Sequence, residues 1–160
     1  MISTQDFPVP IEERYFEDYV PGSVFEYGSL PVEEAEVINF AKRYDNQALH
    51  TDPEAAARGP FGGLIASGWH TAGLMMRLFT DHYLSKVASV VSPGVDELRW
   101  TKPVRPGDRL SIRVSILESR RSRSKPDRGM VHSRVEVLNQ DREVVMSVKA
   151  VNILLCRETS

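Results

Sequence analysis

Cysteine is nearly absent, with Cys156 the single one in 160 residues. That excludes an intrachain disulfide framework and a CxxC metal pair. An excess of one charge sign is missing too, because 20 Lys and Arg stand against 22 Asp and Glu. So even a balance argues against wholesale binding to nucleic acid. No apolar run is a comfortable bilayer span: the most apolar stretch, Leu64 to Phe79, is broken by Ser67, Gly68, His70, Thr71, Gly73 and Arg77. It reads as a buried helix, and no membrane partner is expected. The leading residues have neither a basic start nor an apolar centre, and Glu12, Glu13, Glu17 and Asp18 follow them. A secretory or transit segment is therefore not expected, and the expected location is cytoplasmic. Repeats and low-complexity tracts are also lacking. The expectation is one domain over residues 1–160, with 1–14 and 156–160 as tails, long enough for a core that needs no staple.

What is present divides into a helical half and a strand half. Pro21-Gly22 marks a turn before a short strand at Val24 to Tyr27. A helix is expected from about Val32, where Glu33, Glu34 and Glu36 suit its positive end and Val37, Phe40, Ala41 and Tyr44 recur on one face. Asn46 to Leu49 reads as a connection. Asp52-Pro53 then signals a short helix through Ala57, with Asp52 as its cap. A longer helix runs from Ser67 or Gly68 to about Leu84, and it is apolar on most sides, with Trp69, Met75, Met76 and Phe79 read as core. From Gly94 onward the pattern turns to strands: Val95–Thr101, Leu110–Leu117, Val131–Leu138 and Val144–Leu155, with a tight turn at Asn139 to Asp141. Helices followed by strands predict an α+β fold, an antiparallel β-sheet wrapped around one long apolar helix.

Chemistry concentrates between those halves. Asp45 ends the first helix, His50 precedes the Asp52 cap, and Ile65-Ala-Ser-Gly68 opens the long helix. A carboxylate, an imidazole and the free amides of a helix start are the parts needed to activate a water and steady an oxyanion. Taken alone, the same residues also fit capping and packing. His70, His82 and His132 form no ligand cluster with His50, so no metal site is expected.

Asp45-Asn-Gln-Ala-Leu-His50, Ile65-Ala-Ser-Gly68, Ser92-Pro-Gly94 and Leu98-Arg-Trp-Thr-Lys-Pro-Val-Arg-Pro-Gly-Asp108 together resemble the MaoC-like dehydratases, the (R)-specific enoyl-CoA hydratases of the hotdog superfamily. The resemblance spans roughly residues 15 to 155. The family's motif has the form Asp-x-Asn-Pro-x-His, so Gln47 and Ala48 depart from it and the loop lacks proline's rigidity. What the resemblance implies is (R)-specific hydration of a trans-2-enoyl-CoA or a related enoyl thioester. It assigns Asp45 and His50 as the acid/base pair, Gly68 as the amide that binds the thioester carbonyl, and Ser67 as a further candidate in that pocket. It implies no cofactor, coenzyme A being part of the substrate, and a homodimer or a dimer-based higher oligomer.

Two other readings share the fold: a hotdog acyl-CoA thioesterase and a non-catalytic acyl-CoA-binding module. Leu64 to Thr80 contains no Asp or Glu, which disfavours the thioesterase, whose acid is commonly carried on or near the long helix. The run Arg120-Arg-Ser-Arg-Ser-Lys125 reads as a solvated hairpin loop or as an attractor for the coenzyme A phosphates. Lys102, Arg105 and Arg109 compete for the latter task.

Overall fold

Residues 24–31, 89–100, 109–121, 128–138 and 144–155 build a five-stranded, wholly antiparallel sheet in which, counted along the chain, the first strand lies beside the third, followed by the fourth, the fifth and the second. The computed structural model describes residues 2–158. Its strands are β1 (Val24–Pro31), β2 (Ser89–Trp100), β3 (Arg109–Arg121), β4 (Arg128–Leu138) and β5 (Val144–Leu155). In β3, Leu110, Ile112, Val114 and Ile116 are buried while Ser111, Arg113 and Ser115 alternate with them. This is the period-two signature of a sheet with one covered face.

The cover is α4 (Gly68–His82), which packs on β1 and β3 through Leu74, Met75, Leu78 and Phe79. Before it come α1 (Glu34–Tyr44), the single turn α2 (Ala48–Thr51) and α3 (Pro53–Ala57). The α+β arrangement, one antiparallel sheet against one long helix, is as expected. None of the helices is long and apolar enough to cross a membrane, among the described residues.

Several local expectations need correction. The first helix starts at Glu34 rather than Val32, because the Val32 amide is taken by the Asp108 carbonyl at 2.8 Å. The expected connection at 46–49 instead turns into α2, too short to show any periodicity. The strand expected from Val95 begins at Ser89 and tolerates Pro93 because β2 is an edge, with register shifts on either side of Gly94. Trp69 and Met76 are not core: they are 59% and 43% exposed, since one chain covers only one side of α4.

The flanks are not free tails. Phe7 stacks on Phe25 with ring centroids 4.8 Å apart. Arg14 is buried; its guanidinium lies over the Phe7 ring and donates to the carbonyls of His82 (2.6 Å) and Tyr83 (2.9 Å). Those carbonyls are orphans at the carboxyl end of α4. At the other flank, Cys156 is buried and the Arg157 amide donates to Glu17. Met1, Thr159 and Ser160 lie outside the described residues.

Candidate active site

The chain makes two abrupt turns to bring Asp45 and His50 together. Asp45 is the C-cap of α1: its amide still donates to Ala41 at 2.8 Å, but its backbone has left the helical region. The Gln47 amide then donates back to the Asp45 carbonyl (2.8 Å), and α2 starts at once with Ala48 in its first position. A proline would suit that first position, and alanine, the best helix former, also serves there. Asp52 fixes the exit, its Oδ1 accepting from the amides of Glu54 and Ala55 at 3.1 Å each. The next segment is sewn alongside by Ile65 N–H to Leu49 (3.1 Å) and Ala66 N–H to Val104 (2.7 Å).

Geometry decides the tautomer of His50. Its Nδ1 lies 2.7 Å from the Ile65 carbonyl, which can only accept, so Nδ1 carries a hydrogen. In the neutral ring Nε2 is therefore a bare lone pair, and it faces Asp45 Oδ2 at 3.4 Å. Two acceptors facing each other leave room for one mobile proton between them, which is the disposition of a base.

Asp45 is held as a carboxylate. Gln47 Nε2 donates to Oδ1 at 2.6 Å and Ser67 Oγ to Oδ2 at 2.7 Å. Those two hydrogen bonds, Gln47 first, together with His50 hold its carboxyl below the ordinary value against the opposing effect of burial. The side chain remains 22% exposed, so water reaches it.

Ser67 is the N-cap of α4, its Oγ accepting from the Trp69 amide at 3.3 Å. One hydroxyl thus joins the start of the long helix to the carboxylate. The fully buried Ser67, expected from sequence as a further candidate in the substrate pocket, points at Asp45 rather than into open space. Gly68 follows as the first helical residue, and its amide forms no hydrogen bond among the described residues. A free amide at a helix start attracts negative charge.

Beside these groups lies a cavity of about 310 Å³ lined by His50, Ile65, Gly68, Thr71, Trp100 and Val104, among others. His50 and Gly68 share its wall; Asp45 is not part of the lining. Lys102 lines the cavity and pairs with Glu143, while Arg105 donates to the Phe61 carbonyl at 2.7 Å. Arg109 is occupied with Ser29. Arg120 and Arg121 lie at the other end of the sheet, Arg121 opposite Gly129 in β4, whereas Trp100 at the cavity aligns through Met146 with Val137. His70 is buried between α4 and α1, stacked on Phe40 and 3.3 Å from Glu36. Among the described residues no three His, Cys, Asp or Glu side chains are grouped to hold a metal.

Sequence reasoning did not find the Gln47 and Ser67 bonds to Asp45, nor Trp100 against Gly68. The only signal for them was position: polar residues inside the two short motifs, and a tryptophan inside the segment leading to the sheet.

The chain and its fold have clear relatives. The family described as MaoC like domain matches residues 18–139. The crystal structure of a MaoC-like dehydratase from Rhodospirillum rubrum superposes with a TM-score of 0.84 at 38% identity, covering 91% of this chain and 99% of that one. An (R)-hydratase from A. caviae involved in PHA biosynthesis superposes with a TM-score of 0.69 at 26% identity, covering 85% and 96%. A 3-hydroxybutyryl-CoA dehydratase of Methylorubrum extorquens is 32% identical over 105 residues, 65% of this chain and 64% of that protein.

Proposed function

The chain belongs to the MaoC-like dehydratase family, and from that premise we propose that it catalyses the reversible, (R)-specific hydration of a trans-2-enoyl-CoA or a related enoyl thioester. The observation that carries the proposal is the bare Nε2 of His50 facing the Asp45 carboxylate beside a cavity that His50 and Gly68 both line. Hydration needs a water aimed at the β-carbon, a base for its proton, a donor for the α-carbon and a partner for the enolate oxygen.

In the proposed reaction a water binds beside the pair, within reach of both Nε2 of His50 and the Asp45 carboxylate, which lie 3.4 Å apart. Its oxygen attacks the β-carbon as one of its protons passes to the dyad. The electron pair of the double bond moves toward the thioester, and the enolate oxygen accepts from the Gly68 N–H. The proton held by the dyad then goes to the α-carbon, which restores the thioester and resets the pair. Dehydration is the same path reversed. Neither group is a strong base, and fixed positions reduce the demand on basicity. Of the basic residues that compete for the coenzyme A phosphates, Lys102 is the one that lines the cavity.

Support for a homodimer comes from exposed apolar side chains on two elements that meet at the Trp69 and Trp100 rings. Edge strand β2 shows Val90, Val91, Val95 and Trp100, and the outer side of α4 shows Trp69 and Met76. An open, apolar edge invites pairing, and a second copy would cover it. The expected mass in solution is a multiple of two chains; a monodisperse monomer would remove the dimer.

The test is a panel of enoyl-CoA and acyl-CoA thioesters, with the loss of conjugated absorbance and the release of thiol recorded separately. Hydration without thiol release is expected, and in reverse an (R)-3-hydroxyacyl-CoA is dehydrated while its (S) epimer is not. Thiol release alone would make the protein a thioesterase; acyl-CoA binding with both signals silent would make it a binding module. Asp45→Asn and His50→Ala are each expected to lower hydration by about 10²- to 10⁴-fold, the usual weight of acid/base catalysis, with folding retained. Full activity in either variant would dismiss the dyad.

A further inference from the structure

Glycine at position 68 is enforced by a neighbour rather than by its own backbone. It is the first residue of a regular helix. A Cβ built on Gly68 would overlap Cε2, Cδ2 and Nε1 of Trp100, well inside van der Waals contact. The same indole donates its Nε1–H to the Gly68 carbonyl at 2.9 Å and meets Trp69 edge to face, with centroids 5.1 Å apart. One ring therefore fills the space where a Gly68 side chain would begin while donating to the residue's carbonyl, and the residue's free amide lies in the preceding peptide.

Resting on the hydratase reading above, we infer that Trp100 is a positioning residue for catalysis: it clamps the first turn of α4 so that the Gly68 amide is fixed relative to His50. Trp100 comes from the end of edge strand β2, and Gly68 from the helix start. A second side-chain hold on that turn is Ser67, which accepts from the Trp69 amide on one side and donates to Asp45 on the other. Ser67 ties the turn to the dyad and Trp100 ties it to the sheet. An oxyanion donor works by being in place before charge develops, and a misplacement of about 1 Å can cost 10²-fold in rate. A clamp of this kind affects the transition state more than ground-state binding.

The test is a set of Trp100 and Gly68 variants in the full chain, read by kcat, KM and solution mass. Trp100→Phe keeps an aromatic ring and loses the N–H. It is expected to lower kcat by about 10- to 100-fold with KM within about twofold of the parent and the mass unchanged. Gly68→Ala should lower kcat by at least about 100-fold in the parent, yet by less than about tenfold in a Trp100→Leu background, where the added methyl has room. An unchanged kcat in Trp100→Phe overturns the clamp. So does an equal loss from Gly68→Ala in both backgrounds, and so does a fall in mass that accounts for the lost activity. If the parent hydrates no thioester, the hydratase reading has failed and the clamp falls with it; a parent that is active and indifferent to Trp100 removes the clamp alone.

Discussion

Replacing Ser67 with alanine removes one oxygen with two separate duties, and their energies respond differently to pH. The first duty is the cap on α4, through the 3.3 Å bond from Trp69. Loss of a serine cap costs about 1 kcal/mol. The second is the 2.7 Å bond to Asp45 Oδ2. A hydrogen bond to a charged group is worth about 1.5–3 kcal/mol, but Asp45 keeps its bond from Gln47 and some access to water, so about 1 kcal/mol is the better figure. The sum, about 2 kcal/mol, corresponds to a Tm lowered by about 4–8 °C in a chain of this size.

Asp45 titrates below the ordinary carboxylate value in the folded protein, partly because of Ser67. A depressed folded pKa gives stability that is present above the unfolded pKa and lost as pH falls through the folded one. The carboxylate share of the penalty should therefore vanish under acid, while the cap share stays. Thermal melts of parent and Ser67→Ala at about pH 7 and again below the folded pKa of Asp45 measure this, with a wider Tm gap expected at the higher pH. A gap under about 1 °C at pH 7, or one of equal width at both, would refute the dual role.

Two further perturbations reach separate parts of the molecule. Gln47→Leu removes the largest influence holding the Asp45 pKa down, so the acid limb of kcat/KM should move to higher pH, and an unmoved limb would mean that Asp45 does not set it. Gly129→Ala places a methyl on the ring of Phe16, where a Cβ would overlap Cε2, Cδ2 and Cζ. Overpacking of this kind costs about 1–3 kcal/mol, and Phe16→Leu in the same background should restore part of the lost Tm.

Local rules made much of this chain legible. Asp52-Pro53 announced α3, the strand alternation announced β3 and β4, and Ser67-Gly68 announced where α4 begins. The Asp45 and His50 pair stood out because both lie at helix boundaries, where side chains are free to leave the helix pattern. The misses have physical causes. Trp69 and Met76 look like core on an all-round apolar helix, but hydrophobicity does not say which side finds a cover. Edge strand β2 is exposed along nearly its whole length, so it shows no alternation to read before Val95. The Gln47 bond to Asp45 and the Trp100 contact with Gly68 depend on side-chain directions that spacing does not encode.

Arg14 gives the boundary between inheritance and stability a location. The family match begins at residue 18, yet the carbonyls ending the central helix are closed by a guanidinium from before that point. Its own carbonyl accepts from Ser85, so the grip is mutual. A chimera that grafts residues 18–139 of this chain onto a relative would therefore carry the site intact and leave the opposite end of its helix uncapped. The transplanted part would keep the chemistry while losing a fastening supplied from outside the grafted residues.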